Sequence, residues 1–79
     1  MNEQLTRSDI RTMARKAADY ITFNCDGVSE GFEIIHKDYM AFVDYRNDNG
    51  AETVTVPNAW DGNGDEHPDI ADALQLLLN

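Results

Sequence analysis

The sequence predicts an α+β domain of order α-β-β-β-α, a three-stranded antiparallel meander packed against N- and C-terminal helices. Three observations carry that expectation. Asn49-Gly50 stands between two alternating runs within residues 31–56, the strongest short-range signal for a hairpin, because both central residues of a type I′ turn need positive φ. Apolar stripes at helical spacing lie on either side of that segment. Two independently placed turns assign the same apolar set to one face of the sheet.

The first helix is expected over Leu5 to Phe23, ending near Asn24. Thr6 can act as N-cap with Asp9 at capping-box spacing, and Leu5 and Ile10 are placed for a hydrophobic staple. Ile10, Met13, Ala14, Ala17, Ala18 and Ile21 form its apolar stripe, while Arg7, Arg11 and Arg15 recur on another face. Without interleaved aromatics, the arginine row reads as a solvated face rather than a nucleic-acid grip. Asp26-Gly27 breaks the chain and leads into the first strand.

Two turns set the register of the meander. With Asn49-Gly50 as a two-residue turn, Asp48 faces Ala51, Tyr45 faces Val54 and Val43 faces Val56. A second tight turn at Lys37-Asp38 sets His36 opposite Tyr39, Ile34 opposite Ala41 and Phe32 opposite Val43. Both turns assign Phe32, Ile34, Tyr39, Ala41, Val43, Tyr45, Val54 and Val56 to one face, and a one-residue slip would destroy that agreement. The second face reads Glu33, Ile35, Met40, Phe42, Asp44, Arg46, Thr53 and Thr55.

Pro57 lacks a donor and is expected to end the third strand. Trp60 is read as a plug at the sheet edge, with an exposed anchor as the alternative. A polar loop over residues 61–67 then precedes a helix beginning near Pro68, whose stripe is Ile70, Ala73, Leu74, Leu77 and Leu78.

Composition limits the function classes. Seventy-nine residues with 42% hydrophobic content suit a single folded domain, 1–79, close to the lower limit for one core. Cys25 is the only cysteine, so an internal disulfide and a Cys-rich metal site are excluded. No secretory leader or membrane span is expected, and the anticipated location is the cytoplasm. The net charge is −9, unevenly spread: residues 1–16 hold four bases against two acids, residues 17–79 two bases against thirteen. Such a surface repels phosphate and attracts a basic partner.

Catalytic arrangements are not expected. His36 and His67 fall on a turn and a loop without metal-ligand spacing, Cys25 has no local nucleophile signature, and Gly62 and Gly64 sit among acids that would repel phosphate. The sharpest local pattern is Asp61, Asn63, Asp65 and Asp69, followed by Asp72. It matches the oxygen spacing of a calcium loop, and a small cation-binding domain is the alternative reading. Glu66 at the turn position, Pro68 at the usual apolar position, the short Asp72 and the lack of an entering helix depart from that pattern.

The remaining candidate is a protein-binding surface. Ile35, Met40 and Phe42 cluster on the second face beside Glu33 and Asp44, an apolar centre with a charged rim. The decisive question is whether the last helix covers that trio. The third strand, Ala51 to Val56, would be a sheet edge, which leaves homodimerisation through it open.

In element order, size, acidity and lack of a catalytic motif, the chain resembles small acidic inhibitors encoded by phages and mobile elements, among them anti-CRISPR proteins that block the nucleic-acid site of a Cas effector. The resemblance covers the whole chain in architecture and charge, and no sequence motif carries it. It implies a stoichiometric inhibitor, a nucleic-acid mimic without a cofactor, in which Glu33, Asp38, Asp44, Asp48 and Glu52 occupy a basic groove of the partner.

Overall fold

The computed structural model describes residues 5–79; of the expected 1–79 domain, residues 1–4 lie outside the described residues. Two helices flank a meander of order β1-β2-β3, as expected. The elements are α1 (Arg7–Tyr20), which continues into one π-helical turn (Ile21–Cys25), β1 (Glu30–His36), β2 (Tyr39–Asp48), β3 (Ala51–Asp61) and α2 (Pro68–Leu78).

Helix α1 starts where its capping chemistry dictates. The Asp9 amide donates to Thr6 Oγ1 (3.1 Å), and the Thr6 amide donates to Asp9 Oδ2 (2.9 Å), the reciprocal bonds of a capping box. Met13, Ala14 and Ala17 are buried, with Ile10 and Ile21 partly so. Ala18, expected in the stripe, is exposed, because the buried residues cluster around Ala17 and Ala18 lies a further 100° around the helix. Arg7, Arg11 and Arg15 are exposed. The helix widens before it stops, and the π turn buries Cys25 while Asp26 takes φ 46° in the left-handed region.

Both hairpin registers form as read. His36 pairs with Tyr39, Ile34 with Ala41 and Phe32 with Val43; across the other turn Asp48 pairs with Ala51 and Tyr45 with Val54. Asn49 (φ 54°) and Gly50 (φ 94°) both hold the positive φ that a type I′ turn demands. The third strand differs from expectation. It runs through Pro57 to Asp61, because a bulge places Val56 and Pro57 together opposite Val43. A proline is tolerated there, since an edge strand at a bulge can dispense with one N–H. Beyond the bulge Phe42 meets Asn58, Ala41 meets Ala59 and Met40 meets Trp60.

The core lies on the first sheet face only. Phe32, Ile34, Tyr39, Ala41, Val43, Tyr45 and Val56 are buried there with Ala59, and α1 and α2 contribute Met13, Ala14, Ala17, Ile70, Ala71 and Leu74. Helix α1 packs on β1, α2 on β3, and the two helices on each other. Tyr20 stacks on Phe32 (centroids 4.1 Å) and its hydroxyl bonds Glu30, which pushes the phenol pKa up.

Helix α2 is rotated from its expected seating. Ala71 is buried, whereas Leu77 is 52% and Leu76 81% exposed. The cause is Gln75, whose side-chain amide donates to Val54 O (2.6 Å) and accepts from Val56 N (2.7 Å). Two bonds to β3 hold that side of the helix inward and turn Leu77 out.

Candidate functional site

With both helices on the first face, no described element covers the second. Ile35, Met40 and Trp60 form a cross-strand row over β1, β2 and β3. Ile35 is 59% exposed, and Met40 and Trp60 are half-buried. Phe42 lies beside the row. Its ring crosses Gly31, where an added Cβ would come within 2.7 Å of the ring, so glycine at that edge position gives the aromatic its seat.

The apolar row opens at the turn end of the sheet into a groove of about 430 Å³. Ile35, Met40 and Trp60 line it together with Asp38, Asp61 and Gly62. The loop after β3 shapes its wall. Asp61 Oδ1 accepts from the amides of Asn63 (2.9 Å) and Asp65 (3.2 Å), while His67 Nε2 lies 2.9 Å from Asp61 Oδ2. The His67 bond leads the causes that hold the Asp61 carboxyl below its ordinary pKa. The Trp60–Glu66 bridge brings the loop back along the strand.

That same geometry bears on the calcium spacing of Asp61, Asn63, Asp65 and Asp69. Both Asp61 oxygens are engaged within the loop, and among the described residues no three carboxylate, histidine or cysteine groups gather closely enough to hold a metal ion. Cys25 is buried, and burial pushes its thiol pKa up, away from the reactive thiolate. No described helix is long and apolar enough to cross a membrane.

Of the residues singled out for partner binding, Glu33, Ile35, Met40, Phe42, Asp44 and Asp48 share the second face. Asp38 joins them at the rim, beside Gly62. Glu52 pairs with Asn47 and belongs to the opposite face. Asp44 is partly offset by Arg46, whose Nε lies 3.3 Å from its Oδ2. Trp60 joins this face beyond Pro57, because the strand continues through the bulge instead of ending there. The alternation Ala59-in, Trp60-out after a proline-bearing bulge is the signal that would have included it.

The two edges of the sheet are treated differently. Along β3, Gln75 and Asn79 hold Val54 O, Gln75 holds Val56 N, the His67 amide donates to Ala59 O (2.7 Å), and Asp65 O accepts from the Asp61 amide (3.0 Å). The Gln75 amide spans a carbonyl and an N–H two residues apart, as a neighbouring strand would. Homodimerisation through the Ala51–Val56 edge is therefore obstructed at its centre.

A partly buried polar cluster locks the first hairpin to α1. Asp9 accepts from His36 Nε2 (2.9 Å) and lies 3.3 Å from Lys37 Nζ, in addition to its capping bonds. The His36 contact first, and the Thr6 amide next, hold the Asp9 carboxyl well below the ordinary carboxylate range. This cluster is structural, since every partner of Asp9 belongs to the chain's own cap or turn.

No family model matches the chain, nor does any curated protein or solved structure.

Proposed function

We propose that this chain is a non-enzymatic protein-binding module that docks through the second face of its sheet onto a basic surface of a partner. In this reading it blocks a site the partner uses for nucleic acid. The observation that carries the proposal is the uncovered apolar row Ile35–Met40–Trp60, with Phe42, set among Glu33, Asp38, Asp44 and Asp48. A small domain that leaves three apolar side chains aligned and incompletely buried gains less from them in folding than from its core, and contiguous apolar patches with polar rims are the anatomy of interfaces. The net charge of −9 selects the partner's sign and would act mainly on association rate.

Affinity capture from a bacterial lysate at low and high salt tests the proposal when run beside two variants. Native protein should retain a basic nucleic-acid-binding protein that elutes with salt. A Met40→Ser/Trp60→Ser variant should lose it, and Asp44→Lys/Asp48→Lys should slow its association. Equal capture of the same protein by the native chain and the Met40→Ser/Trp60→Ser variant would refute docking through this face. Undiminished nucleic-acid binding by the captured protein would refute blockade.

A further inference from the structure

The edge of β1 supplies a second, directional element to this surface. In a two-residue hairpin the residues flanking the turn form the hydrogen-bonded pair. His36, Ile34 and Phe32 therefore bond to β2, while Ile35, Glu33 and Gly31 turn their backbone groups outward. Lys16 Nζ takes Ile35 O (2.8 Å). Among the described residues nothing hydrogen-bonds the N–H or C=O of Gly31 or Glu33, or the N–H of Ile35. The contrast with β3, closed by Gln75, Asn79 and the 61–67 loop, is the central observation. Among the described residues, one edge is finished by side chains and a loop and the other is left as a template.

Building on the reading above, we propose that the partner engages this protein by strand addition along Gly31–Ile35, through an extended segment that places a lysine or arginine opposite Glu33 and apolar side chains opposite Gly31 and Ile35. The side chains on the exposed face of β1 specify that pattern. Glu33 is exposed at the middle of the edge, so a basic residue opposite it forms the favourable cross-strand pair. Ile35 continues the Met40–Trp60 row outward, and the Phe42 ring over Gly31 offers an aromatic surface at the other end. A second copy of this chain fits poorly. Antiparallel pairing with greatest overlap centres on Glu33 and sets it against its own counterpart, a like-charge pair, on a molecule carrying −9. Backbone bonds would supply affinity and the alternating side chains specificity, as in other strand-addition complexes.

The test uses a blocked nine-residue peptide that alternates threonine with a central valine, lysine, valine series, and an otherwise identical peptide with glutamate at its centre. Titrated into the native protein and followed by amide hydrogen exchange in NMR, the lysine peptide should protect the amides of Gly31, Glu33 and Ile35 and leave Glu52 on the β3 edge unprotected. Glu33→Pro removes an outward N–H without touching the β1–β2 ladder, and should weaken peptide binding on the order of tenfold or more. Glu33→Lys keeps the backbone intact and should reverse the preference in favour of the glutamate peptide, by about fivefold. No protection of these amides at millimolar lysine peptide, or an unchanged preference in Glu33→Lys, overturns the proposal. If Glu33→Pro still captures the lysate partner while Met40→Ser/Trp60→Ser does not, strand addition fails and face docking stands. If both variants capture it, face docking fails as well.

Discussion

The two faces of one sheet carry comparable side chains to opposite ends. On the first, Ile34, Tyr39, Val43 and Tyr45 are buried beneath two helices. On the second, Ile35, Met40, Phe42 and Trp60 are no less apolar, yet no described element lies over them. Sheet alternation alone would have permitted a helix on each side, since the chain has two amphipathic helices and an apolar group on each face. Both helices are tied to the same side, α1 by the Asp9 contacts to His36 and Lys37, α2 by the Gln75 bonds to Val54 and Val56. The comparison teaches that polar contacts fix both helices over the more apolar face and leave the smaller apolar group of the other face open.

That contrast is broken most severely from the buried side. Leu74 is fully buried, so Leu74→Ala should lower unfolding free energy by about 3 kcal/mol, a large part of a small domain's stability. Chemical denaturation measures it. A loss below about 1 kcal/mol would mean that α2 does not seat on the core as described.

Next in size is Gln75→Ala. It strips the partner from Val56 N–H and one of two from Val54 O, at a cost of about 1–2 kcal/mol. It also bares the β3 edge, so sedimentation should show more concentration-dependent association than for the native protein. A strictly monomeric variant of unchanged stability would show that the amide is not what closes this edge.

Acidification probes the other tie. Asp9 has an ordinary pKa of 3.8 and is held well below it in the fold, first by the His36 contact. Its carboxylate therefore contributes stability fully present above that ordinary value. The contribution is lost as pH falls below about 4 toward the folded value, because the unfolded chain takes up the proton first. Thermal unfolding of Asp9→Asn should accordingly differ most from the native protein at neutral pH, and the difference should shrink steadily as pH falls from about 4 to about 2. Parallel curves across that range would remove Asp9 from the account.

How far the sequence carried these conclusions depended on the range of the interaction. The capping box at Thr6 and Asp9, the Asn49-Gly50 turn and both hairpin registers are local, and each was readable because a few adjacent residues determine it. The bulge at Val56-Pro57 was not, since a proline reads as a terminator until a partner strand shows that its missing N–H is not required. For the same reason Trp60 stayed outside the candidate surface, although Ile35, Met40 and Phe42 were within it. The rotation of α2 was hidden for another reason. A leucine-rich helix offers more apolar positions than it buries, and a single glutamine reaching β3 selects among them.

The smallest stability effect belongs to the open face. Ile35→Ser, at a side chain 59% exposed, should change unfolding free energy by less than about 0.5 kcal/mol, as expected of substitutions outside the core, while reducing partner capture.

Trp60, the only tryptophan, reports directly on that face. Stopped-flow fluorescence of the native chain mixed with the protein it captures at low salt tests the central claim. Docking through the second face predicts a blue shift of Trp60 emission on binding, with an association rate that falls steeply as salt rises. Complex formation that leaves Trp60 emission unchanged would contradict it.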